Sequence, residues 1–287
     1  IEHFVHTNEI KVGRIRIREP KVALYKDKTK PEPPFKKKLL PASAISSIPM
    51  MLNVDSVQII NGYIAIQETS KLTGLDGHIS FHELNGLLTN FTNLPATERQ
   101  SSIMELNAST MMYKQAPISL NMKFDLDSPI DQFTASGKVG SVDMTAFNPV
   151  LEPMMAAKVL GGRLHHLSFE FSAMDTLSTG TVDMTYNDAK IELLNAENVT
   201  EENKKGFLSF AANTLINSNN DPAKSGYTQG IIQARRVLNK DVWPFLWHSI
   251  QSGVVSTFAP MISSKEVRQI QRENRQQLKK ERQGGKD

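Results

Sequence analysis

The chain has 287 residues, 39% hydrophobic and 22% charged, a length that fits two ordinary domains or one elongated one. It has no cysteine, which excludes a disulfide framework, a thiolate metal site and a cysteine nucleophile, and no run of 18 apolar residues that would build a conventional spanning helix. The net charge of +3 is unevenly placed: Lys11–Lys38 carries 11 basic and 3 acidic residues, Lys265–Asp287 carries 8 and 4, and the middle is acidic. Neither basic run is interleaved with aromatic stacking platforms, so no nucleic-acid partner is expected. The chain opens at Ile1 with no signal peptide and is expected to be a mature product or a piece of something longer.

Period-2 alternation dominates residues 10–195 and predicts strands with one apolar and one wet face. Ile15 and Ile17 alternate with Arg14, Arg16 and Arg18; the apolar parity shifts there from Ile10 and Val12, so Gly13 is expected to mark a bulge. Residues 27–49, rich in proline and lysine, read as an irregular linker. Asn61-Gly62 suits a type I′ turn, which would pair Ile59 with Ile64 and Val57 with Ile66 in a hairpin. The clearest strand runs from Ala116 to Leu126, with Leu120, Met122, Phe124 and Leu126 on one face. Residues 147–160 predict a short helix with Asn148 as cap, Pro149 at its first position and Gly161-Gly162 as its end; Pro153 interrupts it. Phe169 and Phe171 alternate with polar residues in the next strand. Asn187-Asp188 is expected to turn a second hairpin that pairs Met184 with Ile191 and Val182 with Leu193, leaving Asp183 opposite Glu192. Antiparallel meander is the favoured topology.

After residue 200 the pattern becomes helical. One helix is expected over Gly206–Asn217. Another covers 242–262, where Trp243, Trp247, Ile250, Val254 and Phe258 form an apolar stripe. Such a stripe suits packing on the chain's own sheet or docking on a membrane surface or a membrane-protein partner; polar residues break it too often for a comfortable span. Ser264 is placed to cap a last, basic helix within 264–287.

Chemistry-bearing motifs are missing. The sequence has no Walker loop, GxGxxG, GxSxG or HExxH. His78 and His82 share a strand face, but at about 13 Å apart they cannot share one metal ion. An enzyme, a cofactor and a metal are therefore not expected. The 12 methionines suit either core filling or a surface that accepts variable partners.

The order of these segments resembles a known family. Ile10–Lys30 (IKVGRIRIREPKVALYKDKTK), Leu52–Glu68 (LNVDSVQIINGYIAIQE), Gly77–Asn93 (GHISFHELNGLLTNFTN), Ala135–Ala173 and Thr179–Asn195 (TGTVDMTYNDAKIELLN) together resemble the carboxy-terminal part of AsmA-like proteins of the Gram-negative cell envelope. The resemblance spans residues 8–200 and implies a bridge-like lipid-transfer protein: an inner-membrane anchor outside this chain, then a long curved sheet whose apolar concave face shields acyl chains in the periplasm. It implies no catalytic residues. The expected architecture is a mainly β, elongated, curved antiparallel sheet (residues 1–200) followed by a helical region (201–287). The lipid track would consist of Val57, Ile59, Ile64, Ile66, Leu120, Met122, Phe124, Leu126, Phe169, Phe171, Val182, Met184, Ile191 and Leu193, with phospholipid as ligand. The alternative expectation is a sealed β-sandwich that scaffolds an envelope complex through its helical tail.

Overall fold

The computed structural model describes residues 9–194, 217–224, 226–260 and 263–284. The helix expected over Gly206–Asn217 falls, all but its last residue, outside them. Among the described residues the chain forms one curved, open sheet of 11 strands with four α-helices. The strands are β1 (Glu9–Arg18), β2 (Lys21–Asp27), β3 (Met51–Thr69), β4 (Asp76–Thr92), β5 (Ile103–Met112), β6 (Ala116–Asp125), β7 (Phe133–Val139), β8 (Val142–Asp143), β9 (Ala157–Ala173), β10 (Leu177–Leu193) and β11 (Gly230–Arg235). The helices are α1 (Pro41–Ser46), α2 (Asn148–Met155), α3 (Val242–Phe258) and α4 (Lys265–Gly284).

From β3 to β11 the neighbours are antiparallel, in the order β3-β4-β5-β6-β7-β9-β10-β11, with β8 a short addition on β9. β1 and β2 break the meander: both pair with β3 in parallel. The reason is the connection that follows them. Residues 28–50 carry the chain back to the end where β1 began, so β3 starts in the same direction, as a long crossover demands. The expected linker is therefore a return path, and it contains the six-residue α1.

Neither expected hairpin forms. Asn61-Gly62 lies inside the continuous β3, where Val57, Ile59, Ile64 and Ile66 face Leu88, Gly86, Phe81 and Ile79 of β4. Asn187-Asp188 lies inside the continuous β10, so Val182 faces Phe169, Met184 faces Leu167, Ile191 faces Val159 and Leu193 faces Ala157. Asp183 consequently sits beside Ser168 and not Glu192. The dipeptides do supply positive φ, 53° at Asn61 and 54° at Asp188, but the chain spends it on bulges. Glu19 (φ 51°), Asn61 and Glu83 (φ 53°) bend neighbouring strands together, and Gly162 (φ 122°) with Asp188 does the same for β9 and β10. A Cβ on Gly162 would lie 2.7 Å from the Ala189 Cα, so this crease requires glycine. Each bulge adds local twist, and aligned bulges bend the whole sheet. The tight turn with two positive φ values is Tyr113-Lys114, between β5 and β6.

Gly13 marks no bulge. Pairing of β1 with β3 runs in unbroken register from Glu9–Met51 to Arg18–Ile60. The parity change is shared by both strands: Ile10 and Val12 lie beside Leu52 and Val54, and Ile15 and Ile17 beside Val57 and Ile59. α2 starts at Asn148 with Pro149 in its first turn, but Asn148 does not cap it; its carboxamide clasps both backbone groups of Val159 at 2.8 Å. The helix ends at Ala156 (φ 48°), and Gly161-Gly162 belong to β9. Ser264 does cap α4, accepting the Val267 N–H at 3.2 Å.

The main core gathers on one face of the sheet, under the helices. Paired residues across β3 to β11 form apolar rows such as Val57, Leu88, Leu106, Met122, Ala135, Phe171, Gly180, Ile232. The adjacent row, Gln58, Leu87, Asn107, Asn121, Ser136, Glu170, Thr181, is mostly polar and points the other way.

Candidate binding face

The apolar face has two unlike halves. On β7–β11 it is covered by protein. α3 lies against β10 and β11, and Phe245 packs its ring edge-on to Phe133 at 6.0 Å; Phe133 in turn meets Phe124 and Phe171. Here Phe169, Phe171, Val182 and Met184 are buried, as are Met122 and Phe124 on the neighbouring β6. α2 packs on the far ends of β4 and β9, and α1 touches β4 and β6.

On β1–β5 and at Leu120 of β6 the described residues leave the same face partly open. Val57, Ile59, Ile64, Ile66 and Leu120 are partly buried, as are Leu88 and Leu106 beside them. At the margin Ile15, Ile17, Val22 and Leu24 are 38%, 42%, 41% and 54% exposed, paired with Val57, Ile59, Ile64 and Ile66 respectively. The row through Ile59 narrows to Gly86 and Ala108 before reaching Leu120, which leaves a furrow in the apolar floor. A methyl added at Gly86 would find no atom nearer than 3.9 Å, whereas one at Gly137, in the covered half of that row, would strike the Phe169 ring at 2.6 Å. Of the remaining expected track residues, Leu126 and Ile191 pack partly buried against the main core, and Leu193 joins Ala156, Leu72 and Leu194 in a small satellite cluster.

α3 packs on its own sheet chiefly through Val242, Phe245, Leu246, Ser249, Gly253, Ser256 and Thr257, with the stripe on its flank. Small side chains allow the close approach: a Cβ on Gly253 would lie 2.3 Å from Val182 Cγ2. Ser249 shares a hydrogen bond of 2.7 Å with Ser178 of β10. The stripe is rotated by about 120° from that contact, at 100° per residue. Trp243 and Trp247 are 54% and 47% exposed, Ile250 and Val254 pack partly against the core, and Phe258 stacks on Tyr186 at 4.4 Å. His248, half-buried on the same helix, is held below its ordinary pKa by burial and by the Lys28 cation, with Glu68 opposing.

The polar face carries a feature that sequence reasoning missed. A broad depression of about 660 Å³ crosses it, lined by Asn107, Asn121, Ser119, Ser136, Lys138, Glu170 and Asp183 among others. It lies opposite the face on which the lipid track was expected. At one end Asp183 is already engaged: Tyr227 donates its hydroxyl to it at 2.6 Å, and Gln229 its amide at 3.1 Å. Burial first, and then Asp183, raises the Tyr227 hydroxyl above the usual phenol range. The alternating Ser, Asn and Lys residues were visible in sequence, but only strand register sets them side by side.

Among the described residues no three of His, Asp and Glu converge to hold a metal ion, and no helix is long and apolar enough to cross a membrane. The arrangement can hold apolar matter by area and shape on one face and make hydrogen bonds on the other. It defines a class: an open, mostly antiparallel sheet whose apolar face is part core and part surface. Comparison with protein-family models, curated proteins and solved structures finds no match.

Proposed function

We propose that this chain is a non-enzymatic lipid-binding element of the cell envelope, and that acyl chains lie on the partly open apolar face of β1–β5 and Leu120. The observation that carries this reading is the half-covered face itself. A sheet in water rarely leaves contiguous Ile, Leu and Val side chains open unless something else covers them. Acyl chains suit a furrow without directional polar groups, and each buried CH₂ contributes about 0.8 kcal/mol. The resemblance to AsmA-like proteins points the same way and suggests phospholipid as the ligand, with Trp243 and Trp247 meeting a membrane surface or a membrane-protein partner.

Lipid extracted from the purified chain and identified by mass spectrometry tests the reading. Gly86→Leu sharpens the test, because a Cβ at this position meets no protein atom nearer than 3.9 Å and the longer side chain projects into the furrow. The expected result is co-purifying phospholipid in the parent chain and much less in Gly86→Leu, at an unchanged or raised melting temperature. A lipid-free parent chain would sink the proposal, as would full lipid loading of a folded Gly86→Leu. A scaffold that seals this face with another protein predicts the former outcome.

A further inference from the structure

The two edges of the sheet are finished differently. At the β11 edge α3 acts as a cover. Its Ser256 hydroxyl accepts the Ile231 N–H at 2.8 Å, its Ser252 hydroxyl accepts the Gln233 N–H at 3.2 Å, and Ser256 also reaches the Ile231 carbonyl at 3.3 Å. Outward-pointing ladder groups that would otherwise recruit another strand are thereby satisfied. Among the described residues the opposite edge has no such cover. β1 and β2 pair only with β3 among the described residues, and from Gly13 to Lys26 every residue except Pro20 is exposed.

We infer that the β1–β2 edge is a docking site for an extended polypeptide strand that alternates acidic and apolar residues, added to the sheet by main-chain hydrogen bonds. Three observations specify that partner. The edge is long: ten residues in β1 and seven in β2, with Glu19 (φ 51°) and Pro20 notching it between them, so β1 alone offers a full-length pairing segment. Its apolar face presents Ile15 and Ile17. Its polar face presents Arg14, Arg16 and Arg18, in register with Ser56, Gln58 and Ile60. A strand laid alongside in register places one residue in two next to these guanidiniums and the others next to the isoleucines. Carboxylates at the first set gain charge complementarity, and apolar residues at the second extend the apolar face by one strand. A second copy of this chain is disfavoured at the same place, because its three arginines would stand against these three. Cations on an edge protect it against its own kind and select an acidic strand. The inference does not depend on the lipid reading.

The full chain can be titrated, by fluorescence anisotropy, against a labelled, end-blocked nonapeptide of alternating Val and Glu, with the Val–Lys nonapeptide as control. The expected result is at least tenfold tighter binding of the acidic peptide, weakened by salt, and protection of Gly13–Arg18 amides from hydrogen exchange in the complex. The triple reversal Arg14→Glu, Arg16→Glu and Arg18→Glu should invert the preference while leaving the melting curve in place. If the variant melts early, the single change Arg14→Glu should still narrow the preference by about threefold or more. Failure of the acidic peptide to bind overturns the inference, as does binding that leaves those amides unprotected, which would be general charge attraction. Dimerisation of the peptide-free chain through this edge would overturn it too, by assigning the edge to a second copy.

Discussion

At Gly253 α3 lies close against Val182 and Ile232 of the sheet, and Gly253→Ala tests whether that approach holds the helix in place. Alanine is worth about 1 kcal/mol more than glycine inside a helix, so local propensity alone predicts stabilisation. The structure predicts the reverse. The new Cβ would sit 2.3 Å from Val182 Cγ2 and 2.9 Å from Ile232 Cγ1, against the roughly 3.5–4.0 Å of ordinary carbon contact. Val182 is fully buried and β-branched, so its side chain has nowhere to rotate, and the helix must retreat by an ångström or more. Overpacking of this kind costs about 1–3 kcal/mol. Retreat also stretches the Ser249–Ser178 and Ser256–Ile231 hydrogen bonds, each worth about 1 kcal/mol. A net loss of about 1–3 kcal/mol remains after the propensity gain. Val182→Ala alone should cost about 2 kcal/mol by emptying core volume. In the double variant the methyl added at position 253 occupies the space that Val182 gives up, so its loss should fall short of the summed single losses by about 1–2 kcal/mol. Urea unfolding at constant m-value measures all four corners of the cycle. Additivity within about 0.5 kcal/mol, or a stabilised Gly253→Ala, would refute the close-contact argument.

Other expectations follow from single features. Arg236, its side chain fully buried, bonds Asp175 at 2.7 Å and the Lys38 carbonyl at 2.5 Å, so Arg236→Ala should cost about 3–5 kcal/mol and speed hydrogen exchange at residues 38–40. Phe245→Ala should cost about 3–5 kcal/mol in the same unfolding assay, since its ring fills the core beside Phe133; a loss under about 1 kcal/mol would mean that α3 is only loosely seated. At Asn61 (φ 53°) Asn61→Gly should be near neutral and Asn61→Val should cost about 1–2 kcal/mol, a contrast that a standard strand position would reverse. His248 titrates lower in the folded chain than near its ordinary 6.5, so the unfolded chain takes up the proton first. Its contribution to stability is full above pH 6.5, falls as the pH drops through that value and levels off below the folded pKa; the difference in urea midpoint between parent and His248→Gln should follow that course.

Much of the architecture was legible in sequence because period-2 alternation is a local signal. The strand from Ala116 shows its apolar face residue by residue, and β6 follows it from Ala116 to Asp125. The errors lie where one local signal serves two structures. Asn-Gly and Asn-Asp ask for positive φ, and that need is met equally by a two-residue turn or by a bulge in a strand that continues. What decides is the partner: β4, at 17 residues, is long enough to pair with both halves of β3, and no window around Asn61 contains that fact. Conversely Tyr113-Lys114 makes the real tight turn with residues that carry no turn signature. The α3 stripe was visible, but its orientation was not, because helix-to-sheet contact through Ser249, Gly253 and Ser256 is specified by closeness rather than hydrophobicity. The division of the apolar face into covered and open halves depends on where helices distant in sequence come to rest.

The Arg236 clasp has a consequence for the order in which the molecule can be made. It joins residues 198 positions apart, and α3 arrives only with residues 242–258. While the chain leaves the ribosome, β3 to β10 can pair as they emerge, each with its predecessor. Until residues 242–258 have been made, the apolar face of β7, β9 and β10 nevertheless lacks its α3 cover. Phe133, Phe171 and Val182, sealed in the finished protein, are then an exposed sticky surface for the many seconds that this takes at about 5–20 residues per second. Survival of the nascent chain is accordingly expected to depend on a holding factor that binds bare apolar sheet and yields it to α3.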